Sequence, residues 1–167
     1  LFIDCARGDF LLDAPQARPV LEVAARLGVP VFAHPVAPQL LTKQMTPYGI
    51  IGTLFARGAV NSAALIALVE GGVFSDLPGL RVVFTAQAVG GLAMATGLSG
   101  QSLLPSGAID VMRKHVFIDT TLIHSALIRA MSDMLGAKNV LAGSDWPIAG
   151  EKPIRAALSQ AMKGADL

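Results

Sequence analysis

The sequence predicts an α/β fold in which strands and helices alternate around one parallel sheet. Apolar strand-like segments are separated by helix-like segments that end at Gly or Pro, and this alternation is typical of βα units. Just over half of the 167 residues are apolar (53%), whereas 15% are charged. Such a composition is typical of a sheet covered on both faces. The length suits a single domain over residues 1–167.

Five short apolar runs are the predicted strands of this sheet. They are Phe2–Ala6, Pro30–Ala33, Arg81–Thr85, Val116–Asp119 and Val140–Ala142. Each is apolar on successive residues, as strands buried on both faces are. Because right-handed βα crossovers would join them, we expect the strands to be parallel and adjacent.

The first predicted helix is bounded by Asp13, a suitable N-cap, and by Gly28, a suitable stop. Its inward face is predicted to be Val20, Leu21, Ala24 and Leu27. The less regular segment 39–58 follows the second strand. Long connections in compact domains are often binding loops, so we interpret this segment as a substrate loop.

Three further helices are predicted from the same signals. We expect Asn61 to open one that stops at Gly71 and Gly72, and Ser125 to open one that ends at Gly136. A last helix is predicted around Pro153–Met162. Their inward stripes are Leu65, Leu68 and Val69; Leu127, Ile128, Met131 and Leu135; and Ile154, Ala157, Leu158 and Ala161. We interpret these stripes as core, since apolar helix faces beside a sheet are usually core.

Charge and cysteine content argue against several classes of protein. The formal net charge is +1 with acids and bases interspersed, so neither nucleic acid nor an anionic membrane is an expected partner. The charge-free stretch 82–109 is interrupted by Gln, Pro and Gly, which disfavours a membrane span. Cys5 is the single cysteine, so a cytoplasmic setting is expected. The sequence opens on a strand without Met, and we expect it to be a piece of a longer protein.

Three side chains stand at the carboxyl ends of predicted strands, where βα-barrel enzymes place their active groups. In VFAHP, His34 follows an apolar run and Pro35 ends the strand; in VLAGSDWP, Asp145 follows the small pair Gly143 and Ser144. Gln87 is the third. A capping histidine and a turn aspartate are the structural alternatives. His115 and His124 are interpreted as structural.

Three stretches of the chain carry a family resemblance. They are VPVFAHP, GGVFSDLPGLRVVFTAQAVGG and VFIDTTLIHSALIRAMSDMLGAKNVLAGSDWP, and together they cover most of the sequence. In this order they resemble the amidohydrolase-related (amidohydrolase 2) family of hydrolases and decarboxylases. The resemblance implies a TIM-type (β/α) barrel, present here as a partial barrel of about five parallel strands.

The resemblance also implies a divalent metal, commonly zinc, with His34 and Asp145 among its ligands. Asp145 would in addition exchange a proton, and Gln87 would orient the substrate. The sequence departs from the family pattern at two points. The first-strand His-x-His pair is absent from these 167 residues, and FTAQAVGG has Ala86 or Gln87 where relatives usually carry a histidine. An amide cannot exchange protons near neutral pH.

The main hypothesis is therefore a metal-dependent hydrolase that acts on a small carboxylated or cyclic carbonyl substrate. One alternative is a metal-dependent decarboxylase of an aromatic or muconate-type acid, and another is a non-catalytic truncated relative. A nucleotide-binding domain is disfavoured because neither glycine-rich phosphate motif follows a strand. Unpaired edge strands of a partial barrel lead us to expect association, including a homo-oligomer.

Overall fold

The computed structural model describes residues 1–98, 107–121, 124–145, 148, 159 and 162–164. Its strands are β1 (Phe2–Asp4), β2 (Ala6–Arg7), β3 (Phe10–Leu11), β4 (Val31–His34), β5 (Val82–Phe84), β6 (Val116–Asp119) and β7 (Val140–Leu141). Five of them form one parallel sheet in the order β1-β4-β5-β6-β7. The predicted strands and their parallel, adjacent arrangement are confirmed. The short antiparallel pair β2–β3 was not predicted.

Seven α-helices accompany the sheet in the described part of the chain. They are α1 (Arg18–Leu27), α2 (Gln39–Met45), α3 (Gly49–Glu70), α4 (Val73–Asp76), α5 (Val89–Leu98), α6 (Ala108–His115) and α7 (Ser125–Leu135). Single 3₁₀ turns lie at Thr46–Tyr48, Ala86–Ala88 and Ala137–Asn139. The predicted helix around Pro153–Met162 lies, apart from isolated positions, outside the described residues.

The two faces of the sheet differ in burial, because successive side chains of a strand point to opposite sides. In β4, Val31 and Ala33 are fully buried against the helices, whereas Phe32 and His34 are half-buried on the other face. The residues of β6 follow the same alternation up to Ile118. The helix-covered face therefore holds the core, and the second face leads to His34 at its carboxyl edge.

Helix α1 begins later than predicted. Its N-cap is Ala17, with Pro19 in the first turn, so Asp13 does not cap it. The fixed φ of proline suits a first turn, which explains where the helix starts. Gly28 ends the helix in the left-handed conformation, as predicted (φ 66°). Val20 and Leu27 were wrongly placed inward, since they are 37% and 65% exposed.

The predicted substrate loop 39–58 is instead helical, and Asn61 lies in the middle of α3 rather than at its start. The glycines of α3 allow close approach that a side chain would prevent. A Cβ on Gly52 would collide with the Met45 carbonyl group, and one on Gly58 would lie 3.0 Å from the Gln87 carbonyl oxygen. Tertiary packing of this kind overrides the weak helix propensity of glycine.

Asn61 is fully buried and links two strands instead of capping a helix. Its Nδ2 donates to the Ala33 carbonyl of β4 at 3.1 Å, and its Oδ1 accepts from Thr85 Oγ1 at 3.3 Å. A buried amide needs such partners. Asn61 thereby holds α3 against the carboxyl ends of β4 and β5.

The histidines interpreted as structural have structural contacts. His115 is buried, stacks on Phe74 with ring centroids 4.9 Å apart, and its Nδ1 lies 2.7 Å from the Leu80 carbonyl oxygen. His124 caps α7 by accepting from the Ala126 amide, so the helix begins at Ser125 as predicted. Of the predicted inward stripe of α7, Leu127 is 41% exposed and the others are buried.

One helical stretch of the described chain, Gln39–Glu70, is long and apolar enough to cross a membrane by length and composition. A core helix of a globular protein can have the same properties. In this fold α3 packs against α5 and the 3₁₀ turn Ala86–Ala88.

Candidate functional site

A cavity of about 580 Å³ lies at the carboxyl ends of the sheet strands. His34, Gln87 and Asp145, the side chains selected from the sequence, all line it. Its other polar lining residues include Arg57, Thr85, Asp119, Thr121 and Ser144, and its apolar lining includes Phe2, Phe32, Ile50, Leu54 and Ile148. Parallel strands bring all their carboxyl ends to one edge, which explains why residues distant in sequence meet here.

His34 ends β4 in register with Asp4 of β1. Its Nδ1 lies 3.7 Å from Asp4 Oδ1, and its Nε2 lies 3.3 Å from Arg57 Nη2. A guanidinium can only donate hydrogen bonds, so this contact assigns Nε2 as the acceptor and places the proton on Nδ1. The Nε2 lone pair is therefore directed at Arg57 in this structure, and Nε2 can bind a metal ion only if Arg57 releases it.

Asp145 reaches the cavity from the segment after β7. Its backbone has a left-handed conformation (φ 55°), which Asp adopts more readily than most residues. The preceding Gly143 is required by close packing, because a Cβ there would lie 2.7 Å from Thr121 Oγ1 and 3.0 Å from Asp119 Cβ. Gly143 therefore allows the backbone to approach Asp119 and Thr121 closely.

Gln87 lies in the 3₁₀ turn Ala86–Ala88 that follows β5. Its Oε1 is buried and has no hydrogen-bond partner within the part of the chain that the structure describes. A buried acceptor without a donor costs roughly 1–3 kcal/mol. The amide is therefore suited to accept a hydrogen bond from a bound ligand.

Asp119, which the sequence reasoning did not select, ends β6 and is 7% exposed. Its Oδ1 accepts from the Ala86 amide at 2.8 Å and the Thr121 amide at 3.1 Å, and its Oδ2 accepts from Thr121 Oγ1 at 2.9 Å. Burial raises the pKa of Asp119, these hydrogen bonds partly oppose the rise, and the negative charge of Asp145 adds to it. Both oxygens of Asp119 therefore bind and position Ala86 and Thr121.

The donor types at this edge suit a divalent ion, but the described residues do not complete a coordination shell. His34 supplies an imidazole nitrogen and Asp145 supplies carboxylate oxygens, the ligand types of a catalytic metal site. In the described ranges, no group of three or more His, Cys, Asp or Glu side chains could hold a metal. His34 and Asp145 thus provide two candidate ligands and an open side.

The sequence reasoning also missed Arg57, and the two omissions have different causes. Asp119 follows an apolar strand in VFID, so the rule that selected His34 would have found it. Arg57 lies on a helix where the sequence pattern predicts a loop, and no local signal directs its side chain to the cavity. Only the contacts of α3 with the turn Ala86–Ala88 and, through Asn61, with Ala33 of β4 place it there.

Comparison with known proteins gives a consistent result. The family model described as Amidohydrolase (amidohydrolase 2) matches residues 5–166. A curated relative, 2-amino-3-carboxymuconate-6-semialdehyde decarboxylase of Dictyostelium discoideum, is 27% identical over 145 residues, which are 81% of this chain and 40% of the relative.

Solved structures show the same fold. The 5-carboxyvanillate decarboxylase from Sphingomonas paucimobilis matches with a TM-score of 0.80 at 22% identity, over 100% of this chain and 52% of that one. The enzyme of that name from Novosphingobium aromaticivorans, complexed with manganese and 4-hydroxy-3-methoxy-5-nitrobenzoic acid, matches with a TM-score of 0.78 at 17% identity, over 100% and 51%. The present chain thus spans about half the length of these relatives, and its five-stranded sheet corresponds to part of a TIM-type barrel.

Proposed function

Because the chain belongs to the amidohydrolase 2 family, we propose that the protein is a metal-dependent decarboxylase (carboxy-lyase) of a small carboxylated substrate. The relatives named above are decarboxylases, which favours this reaction over the hydrolysis that the sequence first suggested. The relatives named above do not support the hydrolase reading. Enzymes of one fold and family catalyse many different reactions, so the proposal depends on the residues of the site.

The observation that carries the proposal is the composition of the cavity at the strand ends. His34 and Asp145 are two candidate ligands for an ion, Gln87 offers an amide, and Phe2 and Phe32 form an apolar wall. The two phenyl rings are stacked, with centroids 5.3 Å apart and planes 8° from parallel. A flat organic acid fits this combination of an apolar wall and a polar end.

In the proposed reaction, the bond between a substrate carbon and its carboxylate breaks, carbon dioxide leaves, and the carbon takes up a proton. Asp145 is the proposed proton donor and is reprotonated from solvent. Gln87 orients the substrate by hydrogen bonding. A bound divalent ion would supply Lewis acidity, which polarises a substrate oxygen. His34 and Asp145 are the proposed ligands in this chain.

The metal is proposed as a divalent ion without a commitment to zinc. The resemblance implies zinc, whereas the Novosphingobium aromaticivorans structure carries manganese. Imidazole and carboxylate ligands accept both ions. The choice between them is therefore an outcome of the experiment.

The proposal can be tested with the protein translated from its complete gene. The metal-free protein would be reloaded with Mn²⁺ or Zn²⁺ and incubated with 5-carboxyvanillate, 2,6-dihydroxybenzoate and 2-amino-3-carboxymuconate-6-semialdehyde. We expect metal-dependent release of carbon dioxide from an acid of this kind. A parallel panel of lactones and esters tests hydrolysis. Hydrolysis of that panel without carbon dioxide release from any acid would contradict the proposal.

A further inference from the structure

One strongly basic side chain reaches the polar end of the cavity, and no motif singled out in the sequence includes it. Arg57 projects from α3 and is half-buried. Its Nη2 donates to the Pro35 carbonyl at 3.1 Å and lies 3.3 Å from His34 Nε2. Within the described lining of the cavity, Arg57 is the single Lys or Arg. The positive charge of the cavity wall is therefore concentrated at one point.

This charge has no anionic partner within the described residues, where the ion pairs involve Arg18 and His34 but not Arg57. The contacts of Arg57 are to a carbonyl oxygen and an imidazole nitrogen, and both use Nη2. Its other N–H groups make no hydrogen bond to the described residues. A half-buried cation of this kind is stabilised by an anionic ligand.

The nearby carboxylates form no ion pair with Arg57 among the described residues. For Asp119, the structure shows why. Both oxygens of Asp119 accept hydrogen bonds from Ala86 or Thr121. Its carboxylate is thereby held at the end of β6. Among the described lining residues, Arg57 is the cation whose free N–H groups can receive a substrate carboxylate, whereas the Asp119 carboxylate does not attract one.

We propose that Arg57 is the specificity-determining residue that releases His34 Nε2 and binds the carboxylate of the substrate through its guanidinium fork, while the flat apolar part of the substrate lies against Phe2 and Phe32. The planar guanidinium matches a carboxylate in geometry and charge. This inference rests on the proposed function for its substrate class. It adds the side chain that selects an acid over its neutral analogue.

The test measures binding rather than turnover. The probes are 4-hydroxy-3-methoxy-5-nitrobenzoate and its primary carboxamide, titrated calorimetrically into the full-length, metal-loaded protein. We expect the wild type to bind the acid more tightly than the amide. Arg57→Gln should weaken binding of the acid by about 30-fold, as loss of one partner of a desolvated charge pair does, and leave the amide unchanged.

Two further variants make the result specific. Arg57→Lys keeps the charge but lacks the fork, and we expect it to weaken binding of the acid by about 10-fold. Arg26→Gln removes an exposed cation of α1 outside the cavity and should leave both affinities unchanged. Circular dichroism and thermal unfolding establish that each variant folds. If Arg57→Gln does not fold, the Arg57→Lys measurement decides.

Three outcomes would overturn the inference. The wild type does not bind the acid more tightly than the amide, an Arg57 variant binds the acid as tightly as the wild type does, or Arg57→Gln lowers the affinities for the acid and the amide by the same factor. Failure of the proposed function is distinguishable. If acid binding depends on Arg57 but no carbon dioxide is released from any acid, the inference stands and the decarboxylase proposal fails. If carbon dioxide is released and Arg57→Gln leaves KM unchanged, the decarboxylase proposal stands and the inference about Arg57 fails.

Discussion

The carboxylate of Asp119 accepts a hydrogen bond from the backbone amide of Ala86 at 2.8 Å, and this contact ties the end of β6 to the turn that carries Gln87. Ala86 is fully buried and immediately precedes Gln87. Thr121 donates to the same carboxylate through its amide and its hydroxyl. Asp119 is therefore a positioning residue that connects two adjacent parts of the cavity wall.

Replacing Asp119 tests this connection. Asp119→Ala leaves the Ala86 and Thr121 amides without their acceptor, at a cost of roughly 1–3 kcal/mol for each buried group. We expect a lower free energy of unfolding in urea. Asp119→Asn has nearly the same shape and keeps one acceptor oxygen, so it should lose less. Equal stability of Asp119→Ala and the wild type would show that the contact does not support the turn.

The pH dependence of stability provides a second test of Asp119. Burial raises the pKa of this carboxyl in the folded protein, so the folded state binds its proton more tightly than the unfolded state. Its contribution to the free energy of unfolding is therefore present at acid pH and is lost as pH rises from the ordinary aspartate range through the raised pKa. Relative to the wild type, Asp119→Asn should become more stable across that window in urea titrations. Exposed Asp133→Asn is the control and should show no such trend.

Gly143→Ala should disturb the position of Asp145. The added Cβ would meet Thr121 Oγ1 and Asp119 Cβ at distances that real contacts rarely reach, so the segment before Asp145 must shift. We expect a fall in kcat of about 10²-fold, because small displacements of a catalytic group are costly. Gly97→Ala is the matched control: a Cβ there meets nothing within 4 Å in α5, and alanine should stabilise the helix by about 0.5–1 kcal/mol. A structure of Gly143→Ala with Asp145 in place would contradict the explanation.

The roles assigned to the three residues selected from the sequence predict different kinetic effects. In the full-length protein, Asp145→Ala should lower kcat by about 10²- to 10⁴-fold with little change in the unfolding temperature. His34→Ala should reduce metal content, measured by atomic emission. Gln87→Ala should mainly raise KM, since the amide positions substrate and transfers no proton. Full activity of Asp145→Ala would show that Asp145 has a structural role in the turn and no catalytic role.

The isolated 167-residue chain should associate in solution. In the described sheet, β1 and β7 each pair with one strand only, so both edges of the sheet are open. At the β1 edge, Leu1 and Phe2 are 50% and 63% exposed. Open edges and exposed apolar side chains favour contact with other copies. Analytical ultracentrifugation should detect species larger than 17.3 kDa. A compact monomer across the accessible concentration range would disprove this expectation.

Local sequence determined the parallel sheet and the edge on which the site lies. Strands such as β4 and β6 were predicted because short apolar runs buried against helices have few alternatives. The positions of His34 and Asp145 in the cavity also followed, since the carboxyl ends of parallel strands meet at one edge. Gly28 was predicted as a helix stop because few other residues adopt its left-handed backbone readily.

Tertiary structure alone decided how α3 meets the sheet. Asn61 has the chemistry of a helix cap, yet its side chain is bound by partners at the carboxyl ends of β4 and β5. Arg57 has the chemistry of a surface residue, yet the same helix carries it to the cavity beside His34. Both outcomes depend on contacts between segments distant in sequence, and a local pattern contains no information about such contacts.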